Sequence, residues 1–188
     1  MLWDLLVTVH CRLPPQTLNP SFTLLIHSEL MNTPTTARRQ VNKKGELRDA
    51  AIAAFWDFSV NRVLLNDSER LLQIKAGFSA QLFQVVRITF DLQGRGLERL
   101  LNASVSTLKR HSREQKPLNS VASERLDRVA VVFNLAEAVF QSRNTAAWWM
   151  SKPNKALGGD TPVMLCETEI GANQVRRVLH ALDWGGSA

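Results

Sequence analysis

Hydroxyl and basic side chains follow one another at helical spacing between Ser104 and Lys116. Ser104 is a typical helix N-cap, and Val105 and Leu108 can face a core. The opposite face then carries side chains suited to a DNA groove, and the predicted DNA-binding residues are Ser104, Ser106, Thr107, Lys109, Arg110 and Arg113. Hydroxyls can approach base edges or phosphates, while lysine and arginine neutralise the phosphate backbone. Residues 102–118 contain four basic residues and one acidic residue, a local net charge of +3.

A second short helix should precede this one. Leu97, Leu100 and Leu101 have amphipathic spacing, and Asn102-Ala103 leaves room only for a tight turn before Ser104. Two short helices joined in this way describe a helix-turn-helix, whose second helix enters the major groove of double-stranded DNA. RNA is the weaker interpretation because no aromatic platform lies beside the basic residues. The alternative is a solvated basic helix that enters no groove.

Residues that could support catalysis do not converge. None of the histidines (His10, His27, His111 and His180) has a cysteine or carboxylate at ligand spacing. Gly158-Gly159 lacks the lysine of a phosphate loop, and Cys166 follows Met164 and Leu165 as expected of a buried, inert thiol. The sequence therefore predicts no enzyme, no metal site and no cofactor.

Composition limits the class of protein. Apolar residues make up 45% and charged residues 21% of 188 residues, which favours a packed domain over disorder. The net charge of +6 favours nucleic acid, a membrane surface or an acidic protein as partner. Two distant cysteines, Cys11 and Cys166, are typical of a reducing compartment, so we expect a cytoplasmic protein. No apolar run approaches the length needed to span a membrane.

The periodicity predicts an all-α fold. Helices are expected from Glu46 onward, with the longest running from Asn119 or Ser120 to near Gln141 as the central core element. Gly94 and Gly96 predict a break between helices, because glycine weakens a helix interior. Thr161-Pro162 predicts the start of one helix that continues to about Leu182.

Three regions follow from this pattern. Residues 1–45 are predicted to be a poorly ordered extension, residues 46–135 a helical domain with the helix-turn-helix, and residues 136–188 a second helical module. The first thirty residues, ahead of Met31, lack the charged start of a secretory signal.

The second module carries residues suited to binding a protein. Trp148 and Trp149 cannot both enter one core from consecutive helical positions, so one should be buried and the other exposed as an anchor. Leu157-Gly158-Gly159 predicts a compact turn that a side chain would obstruct. The tail after Trp184, residues 185–188, is slim enough to enter a concave active site of a partner.

The chain resembles the Xre/MbcA/ParS antitoxins, and within them the Xre-type partners of RES-domain toxins. The matching residues extend over about 68–188 and are densest in the last third, where they include Ala147-Trp148-Trp149-Met150, Pro153-Asn154, Leu157-Gly158-Gly159, Thr161-Pro162, Thr168-Glu169, Gly171-Ala172, Val175 and Leu179. Earlier matches are Ser68-Glu69-Arg70, Gly77-Phe78, Leu100-Leu101, Ser104, Thr107-Leu108, Leu118 and Ser123-Glu124-Arg125-Leu126. Asn102 departs from the glycine that often occupies this turn in the family.

The resemblance implies an antitoxin that binds the operator of its own operon and obstructs the active site of an NAD-consuming RES toxin. Toxin-binding residues are then expected at Trp148, Trp149, Asn154, Leu157, Gly158, Gly159, Thr161, Pro162, Trp184 and Gly185. A homodimer is expected, since helix-turn-helix proteins usually read two-fold operators. The alternatives are a stand-alone transcription regulator without a toxin, and a protein-binding module whose basic helix binds no DNA.

Overall fold

The structure is a computed structural model that describes residues 35–185. These residues form nine α-helices, here α1–α9, and one short 3-10 helix at Lys155–Leu157. The α-helices are α1 Thr35–Val63, α2 Asp67–Ala76, α3 Leu82–Thr89, α4 Gly94–Leu101, α5 Val105–Arg113, α6 Ser120–Phe140, α7 Arg143–Ser151, α8 Pro162–Leu165 and α9 Glu169–Gly185. Within this range there is no strand, only an isolated bridge between Ser79 and Pro117. The prediction of an all-α fold is confirmed.

Some predictions concern residues that the structure does not describe. The first 34 residues of the predicted extension, Cys11, His10, His27 and the tail at 186–188 lie outside the described range. The start of the first helix was predicted too late. Helix α1 begins at Thr35 rather than Glu46, so residues 35–45 of the predicted extension are helical.

Helix α6 is the central element of the fold, as its pattern predicted. Leu126, Val129, Val132 and Phe133 are fully buried along its length. Helices α2, α4, α7 and α9 all pack against it. A helix that is apolar over so much of its circumference is stable only when neighbours cover most of its faces. The predicted domain boundary between residues 135 and 136 falls inside this continuous helix.

A cluster of phenylalanines fixes α1 and α3 against α6. The ring centroid of Phe55 lies 5.1 Å from Phe90 and 5.3 Å from Phe133. Phe90 and Phe133 are 5.7 Å apart in an edge-to-face arrangement, the geometry that aromatic quadrupoles favour. These contacts attach helix α1 to the domain that carries the helix-turn-helix.

Two helix boundaries differ from the predicted ones. Helix α4 begins at Gly94 and includes Gly96, so the glycines start a helix instead of separating two. Pro162 begins only the four-residue α8, and the chain turns before α9 starts at Glu169. Arg128 in α6 stabilises this turn by donating a hydrogen bond of 3.0 Å to the Cys166 carbonyl. That long-range contact has no signal in the local periodicity.

Ion pairs join the helix-turn-helix region to the last two helices. Arg99 in α4 forms a two-point ion pair with Glu167, at 2.7 and 3.2 Å. The buried Arg128 contacts Glu169 at 3.0 Å and also pairs with Glu124. Arg176 contacts the same Glu169 at 2.6 Å. We call Glu124, Arg128, Glu169 and Arg176 the Arg128 network.

Candidate functional site

The turn between α4 and α5 has the geometry of a helix-turn-helix. Asn102 adopts a left-handed conformation, with φ of 49°, which an asparagine tolerates better than most residues. The Ala103 amide donates to the Glu98 carbonyl at 3.3 Å, which closes the end of α4. Ser104 then caps α5, accepting a hydrogen bond from the Thr107 amide at 3.2 Å. The turn, the cap and the bounds of α5 agree with the predictions.

Two charged residues that the sequence reasoning missed hold this turn. The Glu98 carboxylate accepts a hydrogen bond of 2.8 Å from the Val105 amide, at the first position of α5. Arg125 in α6 donates to the carbonyls of Arg99 and Leu100, at 2.8 and 3.2 Å. Amides at the start of a helix and carbonyls at its end have no partners within the helix, so both contacts stabilise helix ends. Glu98 is close to Val105 only after the turn has formed.

The predicted DNA-binding residues lie together on the outer surface of α5. Leu108 is buried and Val105 is partly buried against the core, which turns the basic face outward. Of the residues predicted to contact DNA, Ser104, Ser106, Lys109, Arg110 and Arg113 are exposed and Thr107 is partly exposed. The hydroxyl of Ser104 also lies 2.9 Å from those of Ser106 and Thr107, so these hydroxyls form one small cluster.

The positive charge of α5 is not neutralised within the described residues. Lys116 forms an ion pair with Glu114 at 2.8 Å and thereby lowers the pKa of the Glu114 carboxylate. Across residues 35–185, Lys109, Arg110 and Arg113 form no ion pair. Three cations therefore remain available to an external anion. Lys109, Ser112 and Arg113 also line a groove of about 400 Å³ together with Phe83 and Gln84 of α3.

The two consecutive tryptophans divide as predicted. Trp148 is 55% exposed, whereas Trp149 is partly buried with its ring centroid 5.5 Å from that of Phe140. Trp149 therefore anchors α7 to the end of α6. More than half of the Trp148 side chain is accessible, and an exposed tryptophan is typical of an interface anchor.

The glycine pair forms a tight turn, but for a different reason from the predicted one. Gly158 and Gly159 have φ of 71° and 89°, in the region that L-residues with a side chain rarely adopt. A Cβ at either position would meet nothing within 4 Å, so the requirement is conformational and not steric. Asn154 closes the turn: its carbonyl accepts from Gly159 at 2.9 Å and its side chain from Ala156 at 2.9 Å.

An open groove of about 480 Å³ lies between this turn and helix α9. The turn contributes Ala156, Leu157 and Gly158, and α9 contributes Gln174, Arg177, Val178 and Ala181. Sequence reasoning identified the turn but missed Gln174 and Arg177. Their spacing of three places them on one helix face, a signal that identifies a groove only when its opposite wall is known.

The other predicted toxin-binding residues differ in accessibility. Leu157 and Pro162 are buried, and Asn154 and Thr161 are partly buried, so these four mainly shape the turn and the start of α8. Trp184 is 79% exposed, and the adjacent Gly185, at the end of α9, is also exposed. The accessible members of the predicted set are therefore Trp148, Gly158, Gly159, Trp184 and Gly185.

Cys166 has the environment predicted for it. It is fully buried, and its thiol donates to the Pro162 carbonyl at 3.3 Å. Burial raises the pKa of this thiol to about 12, which keeps it in the unreactive protonated form. Among residues 35–185, no cluster of His, Cys, Asp and Glu has the arrangement of a metal site. In the same range, every helix is too short or too polar to cross a lipid bilayer.

The two parts of the chain that carry these surfaces each resemble a known family of domains. Residues 69–131 match the antitoxin Xre-like helix-turn-helix domain, and residues 135–185 match the antitoxin Xre/MbcA/ParS C-terminal toxin-binding domain. Antitoxin Xre of Pseudomonas putida is 34% identical over 116 residues, which cover 62% of this chain and 72% of that protein. The chain belongs to the Xre-type antitoxin family.

A second relative is also an antitoxin Xre, from another bacterium. Antitoxin Xre of Yersinia enterocolitica is 29% identical over 113 residues, covering 60% of this chain and 76% of that protein. Residues 69–185 of the antitoxin thus contain a helix-turn-helix domain of the DNA-binding type followed by a toxin-binding domain, and both relatives are named as antitoxins. The boundary between the two family matches, at residues 131–135, lies inside helix α6.

Proposed function

We propose that this antitoxin neutralises a RES-type, NAD-consuming toxin and represses its own operon by binding operator DNA. The observation that carries the proposal is the separation of two accessible surfaces. Helix α5 exposes three cations without an ion-pair partner among the described residues, and the α7–α9 region exposes Trp148, Trp184 and the groove beside Gly158. The functional division at residues 46–135 and 136–188 is part of this proposal.

In the proposed complex with DNA, each accessible residue of α5 has a role. Ser106 and Thr107 lie in the first turn of the helix, where a recognition helix usually contacts base edges. Lys109, Arg110 and Arg113 then contact phosphates on either side of the groove. Ser104 orients the helix through its cap, and its side chain is exposed on the same surface.

The double substitution Lys109→Ala with Arg110→Ala tests the proposed operator binding. It should weaken binding to the DNA upstream of the gene without reducing toxin neutralisation, because neither side chain contacts the core. Binding is measured by mobility shift over a range of salt concentrations, and Lys152→Ala with Lys155→Ala serves as an equally charged control. Loss of both activities together would mean that α5 is purely structural.

In the proposed complex with the toxin, the partner lies against the accessible part of the second module. Trp148 and Trp184 supply apolar anchors, and the groove supplies Arg177, which forms no ion pair within residues 35–185. A toxin segment with an acidic side chain would match this groove. The choice of a RES toxin comes from the family resemblance, and obstruction of the toxin active site explains how binding neutralises it.

Co-expression with the RES-domain protein encoded beside the antitoxin gene tests the proposed toxin neutralisation. Wild-type antitoxin should preserve cellular NAD and co-purify with the toxin, whereas Arg177→Glu with Trp148→Ala should do neither. Lys75→Glu, an exposed cation that does not line the groove beside Gly158, is the control. A variant without residues 185–188 tests the proposed entry of the tail into the toxin. Operator binding with no toxin in the operon would favour the stand-alone regulator instead.

A homodimer is the expected form on DNA because operators of helix-turn-helix proteins usually have two-fold symmetry. Helix α2 supports this form, since it has no buried residue and exposes Leu71 and Leu72 at 51% and 68%. Exposed aliphatic side chains on adjacent positions favour contact with another protein surface. Sedimentation of wild type against Leu71→Glu with Leu72→Glu tests this face. A wild-type monomer at micromolar concentration would argue against the dimer.

A further inference from the structure

A second basic groove lies between helices α1 and α3. It has a volume of about 320 Å³ and is lined by Lys44, Arg48 and Arg87, with Asp91 as its acidic residue. None of these four residues forms an ion pair within the described part of the chain. Lys44 and Arg87 are exposed, and Arg48 is held at the groove by a hydrogen bond of 3.5 Å to the Thr89 carbonyl. The three cations and one carboxylate that line the groove give it a net charge of +2.

Helix α3 connects this groove to the basic face of α5. Gln84 of α3 lines the groove that contains Lys109 and Arg113, and Arg87 lines the α1–α3 groove. Residues three apart lie on the same side of a helix and about 4.5 Å apart along its axis. The two grooves are thus neighbours along one stripe of α3.

The charge and the position of the groove match a phosphate backbone. Duplex DNA is densely charged along its axis, so a protein that reads one groove usually meets phosphates on the flanking backbone. In helix-turn-helix proteins the elements beside the recognition helix cross this backbone. Lys44 and Arg48 lie before residue 69, where the match to the helix-turn-helix domain begins, so helix α1 adds them to that domain.

We propose that the α1–α3 groove binds the DNA backbone beside the site contacted by α5, with Lys44, Arg48 and Arg87 each facing phosphate oxygens. This inference rests on the proposed operator binding and extends its footprint. The groove adds affinity and salt dependence, while sequence preference comes from α5, because phosphate contacts are the same for every base sequence.

The test compares two double variants of the full-length protein on a duplex from upstream of its own gene. Lys44→Gln with Arg87→Gln removes two cations from the groove, and Lys43→Gln with Lys152→Gln removes two exposed cations outside it. The groove variant should bind roughly tenfold more weakly at low salt, and its slope of log affinity against log salt should fall by about 2. The preference for operator over unrelated DNA should stay unchanged. The control should match wild type in both quantities.

Equal slopes for the groove variant and the wild type would overturn the inference, and the operator proposal would stand if Lys109→Ala with Arg110→Ala still weakened binding. If the wild-type protein binds no DNA, both the groove inference and the operator proposal are wrong. Weakened toxin binding with unchanged DNA binding would assign the groove to the protein partner and would also overturn the inference. Urea midpoints equal to that of wild type show that the variants remain folded.

Discussion

The arginines around Cys166 and the basic residues of α5 have different neighbours, although both groups lie in the same compact unit. Arg128 is buried and its guanidinium contacts Glu124, Glu169 and a backbone carbonyl. Lys109 and Arg110 are exposed and have no ion pair within residues 35–185. Charge held by internal partners stabilises the fold, whereas charge left open is available to a ligand. Substitutions should therefore affect stability in the first group and binding in the second.

The largest effect on stability is expected at Gly171 in α9. A Cβ there would lie 2.1 Å from the Leu165 carbonyl oxygen, so Gly171→Ala must separate α9 from the end of α8. We expect a loss of about 3 kcal/mol, typical of overpacking against backbone. Gly159→Ala, which meets nothing within 4 Å, should lose only about 1 kcal/mol through its positive φ. Urea denaturation measures both, and equal losses would contradict this distinction.

The next effect is expected from the Arg128 network. Arg128→Met keeps much of the side-chain volume but leaves the buried Cys166 carbonyl without its donor, so we expect a loss of about 2 kcal/mol. Arg110→Met on α5 should change stability by less than about 0.5 kcal/mol because the side chain is exposed. Thermal or urea unfolding of the two variants is the measurement. A comparable loss from Arg110→Met would break the distinction between internal and open charge.

A smaller effect should depend on pH. The Cys166 thiol has its pKa raised from 9.0 to about 12 in the folded protein, so only the unfolded chain ionises it between those values. Stability from this group is complete below pH 9 and is lost as the pH rises towards 12. By pH 10 the loss should be about 1.4 kcal/mol. Cys166→Ala should remove this component, measured as the difference between the two urea-unfolding curves at pH 8 and pH 10.

The smallest effect is expected from the exposed ion pair between Arg99 and Glu167. Its arginine is 61% exposed, so solvent screens the interaction despite the distance of 2.7 Å. Arg99→Gln should lower the free energy of unfolding by about 0.5 kcal/mol or less in low salt, and by less still in 0.5 M salt. If Arg99→Gln lowered the free energy of unfolding by more than Arg128→Met does, the prediction would be wrong. The link between α4 and the last helices would then depend on this surface pair.

Local signals were sufficient to predict α5 and its exposed face. Ser104 has a cap side chain, and Leu108 lies at the spacing that buries one face of the helix. The separate environments of Trp148 and Trp149 followed from their consecutive positions alone. In each case the deciding residues lie within two turns of one another, so periodicity determines the result.

Contacts between distant segments could not be predicted in this way. Arg125 holds the Leu100 carbonyl at the end of α4, 25 residues earlier in the chain, and Arg128 holds a carbonyl 38 residues further along. The groove that contains Arg177 and the one that contains Lys44 each form between two elements distant in sequence. In the sequence alone, the residues at those positions look like ordinary exposed polar residues. Their role becomes visible only when the fold brings the second segment beside them.

The continuity of α6 has a practical consequence for dividing the protein. The border between the two family domains lies within this helix, and Ala130 and Ala136, on either side of it, are both fully buried. A fragment cut at that border would expose part of the shared interior and lose the carboxyl-terminal turns of the helix from one piece. An expression fragment intended to retain toxin binding should therefore keep α6 whole, from its N-cap Asn119, together with the helices that pack against it.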